Sequence, residues 1–312
     1  MICGRHRGRT EALAAELGIP SFTLDAAELC ASEQLDAVTV CTPNDAHAGH
    51  VLLALDSGKH VFCEKPLALT VDEATRMVRM ARARRVVNQV GFTFRHLFGI
   101  QQLQRRVRQG DIGEPLLMRL HHQYFDGVTT SQEIRWQHRR AFGGGVLRDS
   151  ASHLFDLARF VLGPVTAIRA DLRHAGRPDV ETEDVASVGL CHTSGAGAEC
   201  FASRITPAHR PNFVEIVGRN GALSALISRG AADALTRTGA SGWQEVSLPP
   251  EAADGRPHAL DRMMHSFVDA CLQGHLGEGS ASFDDGLAVQ QMIDAAEQAA
   301  CSRDWMRVEV SG

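Results

Sequence analysis

Lysine is almost absent from this sequence. Of the 32 basic residues, two are lysines, Lys59 and Lys65, and the other 30 are arginines. A lysine ammonium is a compact charge whose pKa responds to its surroundings, which an arginine guanidinium cannot offer. A surface position without a function suits Lys59, whereas the motif around Lys65 favours a chemical role.

Long apolar runs and blocks of positive charge are also absent. No stretch approaches the ~18–20 apolar residues that span a bilayer, and residues 1–9 hold no apolar segment of signal-peptide length. The 312-residue chain has a net charge of -5, with 44% apolar and 22% charged residues. This composition predicts a globular protein of two domains, with neither nucleic acid nor a membrane as a partner.

The eight cysteines form no Cys-x-x-Cys pair and are scattered through the chain. Such cysteines are typical of free thiols in a reducing compartment, so we expect a cytoplasmic protein. Adjacent His121 and His122 hint weakly at a metal, but neighbours in a strand point to opposite faces. No third ligand stands at zinc-like spacing from Asp149 and His153. No metal site is therefore predicted.

Up to about residue 95, strand-like and helix-like segments alternate. Strands are predicted at 1–3, 21–24, 35–41, 61–63 and 86–92, and helices at 10–17, after the N-cap residues Asn44 and Asp45, and at 71–82. This alternation predicts an α/β domain with a doubly wound parallel sheet, whose ligands bind at the carboxyl ends of the strands. We assign this dinucleotide-type domain to residues 1–95.

Residues 96–312 follow a different pattern. After a helix at 98–107, a long strand at 115–124 and a helix at 148–161, five strand-like runs succeed one another between 165 and 227. Helices at 260–271 and 284–301 precede a last strand at 306–310. The pattern predicts an α+β domain with a large, mostly antiparallel open sheet. Because an uncovered sheet face has to be buried, we expect a homodimer or homotetramer through this domain.

Two motifs follow strands of the parallel sheet. Residues 41–47 (CTPNDAH) lie where a strand gives way to a helix, and either contact a dinucleotide or form an ordinary capped turn. In Glu64-Lys65-Pro66, the residue before proline is extended, which places Lys65 at the end of the sheet. An ammonium there can hold a substrate hydroxyl and favour its alkoxide form. The alternative is a charge pair in a loop.

A third motif combines the glycines at 143–145 with Asp149 and His153. These two residues are four apart, so they share one face of a helix. A carboxylate beside an imidazole orients the ring and raises its basicity, which suits a general acid–base catalyst. An ordinary surface pair at this spacing is the alternative.

The order of these three motifs, with residues 89–92 (QVGF) between the second and the third, resembles the GFO/IDH/MocA family (glucose–fructose oxidoreductase / inositol dehydrogenase / MocA). The likeness runs along the whole chain and includes residues 110–115 (GDIGEP) and 214–218 (VEIVG). It implies a Rossmann-type NAD(P)-binding domain followed by a substrate-binding and oligomerisation domain. The implied activity is hydride transfer between a nicotinamide cofactor and a secondary alcohol or ketone of a sugar, inositol or related polyol.

The resemblance also implies residue roles. His153 would be the acid–base that takes the hydroxyl proton, Asp149 would orient the substrate or His153, and Lys65 would assist at the same oxygen. Cofactor contacts are implied for Thr42, Pro43, Asn44, His47, Glu64 and Lys65. Weaker candidates for substrate contact are Arg95 and Trp136. Departures from the family's usual pattern at Arg148, Ser150 and Ala151 leave the substrate open.

The family's opening strand, glycine turn and helix, which hold the pyrophosphate, find no match in this sequence. No Gly-x-Gly-x-x-Gly turn occurs, and the first residues match the family's second strand. We therefore expect an incomplete Rossmann-type sheet that lacks the central strand between those at 1–3 and 35–41. We also expect the true start of the chain to lie upstream.

The end of the first strand bears on the choice of cofactor. The family often has an acidic residue there for the ribose hydroxyls, whereas this chain has Gly4 and Arg5, with Arg7 nearby. Without a carboxylate and with two arginines, a 2′-phosphate is better accommodated, which favours NADP over NAD. A basic, solvated loop is the alternative interpretation.

Two other functions remain open. A non-catalytic dinucleotide- or sugar-binding regulator could use the same fold, but it would not need Lys65, Asp149 and His153 together. An inactive partial chain is favoured by the missing glycine turn. The three side chains favour the enzyme.

Overall fold

The computed structural model describes residues 1–127, 133–174, 177–206, 212–227, 235–239, 242–248 and 256–308. Within these ranges the chain forms parallel ladders near its start and a nine-stranded, mostly antiparallel sheet after them. This architecture confirms the fold class predicted from the sequence.

The parallel sheet is in two parts. Strands β1 (Ile2–Cys3) and β2 (Phe22–Thr23) pair with each other, and β3 (Ala37–Val40), β4 (His60–Cys63) and β5 (Asn88–Val90) form a second ladder. Within residues 1–127 no ladder joins β1 to β3. The break falls between the two strands where the sequence analysis expects an incomplete sheet.

Four helices accompany these strands: α1 (Arg7–Glu16), α2 (Ala26–Ala31), α3 (His47–Asp56) and α4 (Val71–Arg84). Helix α4 begins at a capping box in which Thr70 accepts from the backbone of Glu73 and the Glu73 side chain accepts in return. Such reciprocal bonds satisfy the free N–H groups of a first turn. The short helix α2 was not predicted; the side chain of Asp25 caps it.

The second sheet has the strand order β13-β12-β11-β10-β6-β9-β8-β7-β14. Its strands are β6 (Pro115–Gln123), β7 (Val165–Arg173), β8 (Val185–His192), β9 (Gly197–Ser203), β10 (Phe213–Gly218), β11 (Gly221–Leu226), β12 (Leu235–Gly239), β13 (Gly242–Val246) and β14 (Met306–Arg307). Only β6 and β9 pair in parallel within these ladders. The hairpin of β12 and β13 was not predicted.

The remaining helices are α5 (Phe98–Arg108), α6 (Ser152–Leu162), α7 (Arg256–Gln273) and α8 (Phe283–Ser302). Helix α7 packs on the parallel sheet, where the ring centroids of Phe267 and Phe62 are 5.7 Å apart. Before α8, the Ala281 carbonyl accepts from the Val90 amide at 2.8 Å. The chain's last helices thus contact the first domain, and the boundary at residue 95 stays a prediction.

Side chains alternate across strand β6. Met118 and Leu120 are buried, whereas His121 lies on the other face and stacks on Phe213 with ring centroids 4.6 Å apart. His122 points back to the buried side and meets the ring edge of Phe94. The two adjacent histidines therefore face opposite ways.

No helix in the described residues has the length and apolarity to cross a membrane.

Candidate active site

Lys65 and Asp149 form the centre of the candidate site. The Lys65 ammonium lies 2.6 Å from Asp149 Oδ1 and 2.7 Å from the Asp149 carbonyl oxygen. Lys65 follows strand β4, and Asp149 lies more than eighty residues later, just before α6. The fold thus joins the second and the third sequence motif at one point.

The turn that carries Asp149 is a π-helix over Leu147–Ala151, continuous with helix α6. A π-turn contains bonds from an amide to the carbonyl five residues back, and such wide turns often occur at functional sites. The backbone oxygen of Asp149 accepts from Lys65 here, in addition to its carboxylate. The loop after β4 is thereby held against the start of α6.

Two side chains complete the surroundings of Asp149. The hydroxyl of Tyr124, just after β6, lies 3.2 Å from Asp149 Oδ2. His153, in the first turn of α6, is buried and stacks on Phe94, with ring centroids 4.3 Å apart. The predicted catalytic residues Lys65, Asp149 and His153 therefore share one region. Their catalytic roles stay predictions.

The charges in this region favour an ionised Asp149. Burial acts to raise the pKa of the carboxyl, but the charge and hydrogen bond of Lys65, with smaller help from Tyr124, hold the pKa below its usual range. Burial and the neighbouring carboxylate raise the pKa of the Tyr124 phenol. The carboxylate is therefore charged and the phenol neutral near neutral pH.

The glycines at 143–145 leave room for neighbouring groups beneath this turn. A Cβ on Gly144 would lie 2.2 Å from the Gln137 carbonyl oxygen, and one on Gly145 would lie 2.3 Å from Glu183 Oε1. Gly145 also has a φ of 108°, which side chains rarely adopt. Because its carbonyl accepts from the Asp149 amide at 2.9 Å, this close packing helps to position Asp149.

The residues after β3 meet the second domain. The amide of Asn44 donates to the Gly143 carbonyl at 3.0 Å. His47 is fully buried, and its ring nitrogens each lie 2.9 Å from a carbonyl oxygen, those of Thr42 and Pro66. Burial lowers the pKa of His47. His47 therefore ties two loops together, and its contact with a cofactor stays a prediction.

The other predicted cofactor residues are more open. Thr42, Pro43 and Glu64 are partly exposed at the ends of their strands. Glu64 fits beside Gly91, where a Cβ would lie 2.9 Å from its carboxylate. Gly4 and Arg5 follow β1 in the separate two-stranded part of the sheet, and Arg5 is exposed.

The structure does not support the predicted substrate contact of Arg95. Its guanidinium bonds both oxygens of Asp156, at 2.6 and 2.8 Å, and lies 3.1 Å from Asp285. The side chain is 5% exposed. It joins helix α6, through Asp156, to helix α8, through Asp285. Trp136 is partly buried in a short 3₁₀ helix, and its contact with substrate stays a prediction.

Arg148, just before Asp149, also joins separate segments. It donates to the Leu69 carbonyl at 3.0 Å and to Glu297 on α8 at 2.8 Å.

Among the described residues, no group of three or more His, Cys, Asp or Glu side chains could hold a metal ion.

No role at this site was predicted for Tyr124, His122 or Phe94. A signal for two of them was present, because alternation along β6 places His122 and Tyr124 on the same face. Tyr124 is also the only tyrosine in the chain. Phe94 carried no comparable signal.

The fold and the site define a two-domain, nicotinamide-type oxidoreductase. Residues 1–92 match the family profile described as "Oxidoreductase family, NAD-binding Rossmann fold", and residues 100–224 match the GFO/IDH/MocA C-terminal domain. Together with the relatives below, these matches show that the chain belongs to the GFO/IDH/MocA family of oxidoreductases. The resemblance inferred from the sequence is confirmed.

Curated relatives include named dehydrogenases and reductases. The scyllo-inositol 2-dehydrogenase (NAD(+)) of Bacillus subtilis (strain 168) is 30% identical over 221 residues, covering 70% of this chain but only 63% of that enzyme. The 1,5-anhydro-D-fructose reductase of Ensifer adhaerens is 30% identical over 284 residues, covering 89% of this chain and 81% of that enzyme.

A solved structure shares the whole fold. The oxidoreductase domain protein of Kribbella flavida superimposes with a TM-score of 0.90 at 27% identity, covering 99% of this chain and 90% of that one. The two-domain arrangement is therefore that of a known oxidoreductase fold.

Proposed function

We propose that this protein transfers a hydride between a nicotinamide cofactor and a secondary alcohol or ketone of a sugar, an inositol or a related polyol. The observation that carries the proposal is the contact of Lys65 with Asp149, one helical turn before His153. Curated relatives named for inositol and anhydro-sugar substrates support the substrate class.

In this mechanism Lys65 acts on the reacting oxygen. An ammonium has three N–H donors, and the Asp149 carboxylate and carbonyl accept two of them. The third is available to the substrate hydroxyl, where it stabilises negative charge that develops as the proton leaves.

Asp149 and His153 divide the remaining work. The Asp149 side chain is 32% exposed, so its carboxylate can accept from a neighbouring hydroxyl of the substrate and orient it. His153, held in place by the ring of Phe94, takes the hydroxyl proton during oxidation and returns it during reduction. The paired charges of Lys65 and Asp149 suit a polyol.

The described residues fit the nicotinamide end of the cofactor. Thr42 has a buried hydroxyl with no hydrogen-bond partner among the described residues, at the end of β3. Thr42, Pro43, Glu64 and Lys65 would line this end, with Asn44 and His47 holding the loops. When bound, the nicotinamide accepts or supplies the hydride. A Gly-x-Gly-x-x-Gly cradle for the pyrophosphate is not part of this sequence.

We favour NADP over NAD. Gly4 stands where a carboxylate would bind the ribose hydroxyls, and Thr10 fills the space beside it, 2.3 Å from where a Cβ would lie. The first turn of α1 has no acidic residue, and Arg5 before it is exposed. An uncapped helix start beside arginines suits a 2′-phosphate. Tighter binding of NAD than of NADP by the full-length protein would contradict this preference.

A substrate screen tests the activity. The full-length protein is incubated with scyllo-inositol and NADP or NAD, and with 1,5-anhydro-D-fructose and the reduced cofactors, while nicotinamide absorbance is followed. We expect turnover with at least one member of a panel of inositols, anhydro-sugars and keto-sugars. Cofactor binding without turnover on any of them would favour a regulator.

The open sheet supports an oligomer. On the face opposite the buried Met118 and Leu120, Arg119 lies 3.4 Å from Glu215 and 3.6 Å from Glu199. We propose that this face is covered by a second copy in a homodimer or homotetramer. A monomeric sedimentation profile at micromolar concentration would count against it.

A reducing compartment suits the thiols. The eight cysteines are free in the structure, and Cys41, Cys191 and Cys301 are exposed. Exposed thiols persist where glutathione keeps them reduced. We therefore place the protein in the cytoplasm, and fractionation of cells that express it from its own locus checks this assignment.

A further inference from the structure

Tyr124 lies on a rigid support beside the candidate site. Its amide donates to the Ser203 carbonyl at 2.9 Å, and its carbonyl accepts from the Thr206 amide at 3.3 Å. These bonds extend the pairing of β6 with the neighbouring strand β9. On the same face of the chain, the His122 ring lies 5.7 Å from the Tyr124 ring. The phenol therefore has a fixed origin and direction.

The carboxylate of Asp149 is held from two directions. Lys65, from the loop after β4, donates to Oδ1 at 2.6 Å, and Tyr124, from the end of β6, donates to Oδ2 at 3.2 Å. We propose that Tyr124 is a positioning residue that fixes the plane of the Asp149 carboxylate against Lys65. For its effect on catalysis, this inference rests on the proposed function.

Without the phenol, the carboxylate would lose the donor that holds Oδ2 and would keep the donor at Oδ1, Lys65. Oδ2 would then be free to rotate away from the position in which it accepts a substrate hydroxyl. Misplacement of this kind lowers the rate because catalysis depends on geometry set before the reaction. Charged or titratable groups that act on Asp149 include Lys65, Tyr124 and His122, and His153 lies one helical turn further on; those that act on Tyr124 include Asp149, Asp126 and Arg204.

The first experiment removes the hydroxyl and keeps the ring. In Tyr124→Phe we expect kcat/KM to fall on the order of tenfold, as for loss of a hydrogen bond to a charged group. The acid limb of its pH profile should move to higher pH, because the Asp149 carboxyl loses a donor. Thr75→Val, which deletes a hydroxyl that bonds within α4, should change neither quantity. An unshifted limb with less than a twofold loss would overturn the proposal.

The second experiment needs no substrate. Because the chain has a single tyrosine, tyrosinate absorbance during an alkaline titration reports Tyr124 alone. We expect tyrosinate to form at lower pH in Asp149→Asn than in the wild type, since a neighbouring negative charge opposes ionisation. Asp56→Asn, at an exposed residue paired with Arg84, should behave as the wild type.

The two experiments fail separately. Equal tyrosinate midpoints in the wild type and Asp149→Asn, with circular dichroism showing that both proteins are still folded at the midpoint, would refute the contact of Tyr124 with Asp149. Absence of turnover on every substrate tested would instead refute the proposed function, and would leave the spectroscopic result to decide on the contact.

Discussion

Replacing Arg95 with methionine separates a structural from a substrate-binding role. Arg95 and Asp156 are 5% and 1% exposed and share two hydrogen bonds of 2.6 and 2.8 Å. Removing one partner of such a buried pair leaves an uncompensated charge, which costs about 3–5 kcal/mol. We therefore expect Arg95→Met to lower the free energy of unfolding by that amount.

The loss should depend on pH in a defined direction. Burial raises the pKa of Asp156 to about 6, against the opposing charge of Arg95. Without Arg95 the folded-state pKa rises further above that of the unfolded chain, so the folded protein holds its proton to higher pH. Stability is then lost as pH rises through the folded-state pKa, and the destabilisation is larger at about pH 8 than at about pH 5.

Urea denaturation of the wild type, Arg95→Met, Asp156→Asn and the double variant measures the loss. The double variant should recover part of the stability because neither buried charge remains. Arg82→Met breaks an exposed pair and should cost less than about 1 kcal/mol. A stable Arg95→Met protein whose KM alone is raised would refute the structural role and support a substrate contact.

Two further predictions concern the site itself. Lys65→Met should move the acid limb of the pH profile of kcat/KM to higher pH, because the pKa of Asp149 rises when its main counter-charge is lost. A pH profile of the variant measures this shift. An unmoved limb would contradict the ion pair of Lys65 with Asp149. Gly144→Ala places a methyl 2.2 Å from the Gln137 carbonyl oxygen and should lower both stability and kcat/KM, whereas Gly277→Ala, in open space, should leave both near wild type in thermal unfolding and activity assays.

Much of the fold followed from local patterns. Helix α4 was predicted at 71–82, and the structure has it at Val71–Arg84. The helix was predictable because its amphipathic pattern and its capping box indicate the same segment. The hairpin of β12 and β13 was missed because its strands are short and mixed in polarity, so alternation gave no clear signal. The gap between β1 and β3 was expected because no segment of this sequence matches the family's opening strand.

The candidate site was predictable only in part. The spacing of Asp149 and His153 suggested a shared helix face, but the π-turn and the contact with Lys65 depend on how the domains meet. Arg95 was assigned to the substrate by the family resemblance, whereas its partners Asp156 and Asp285 come from distant segments. Contacts between segments far apart in sequence cannot be read from either segment alone.

Lys65, Asp149 and His153 are proposed to form an acid–base site for hydride transfer. The most direct test compares kcat of the wild type and His153→Asn on the best substrate of the polyol panel, with cofactor affinity measured in parallel. We expect kcat to fall on the order of 10²-fold or more with nearly unchanged cofactor affinity. A variant that turns over as fast as the wild type would contradict it.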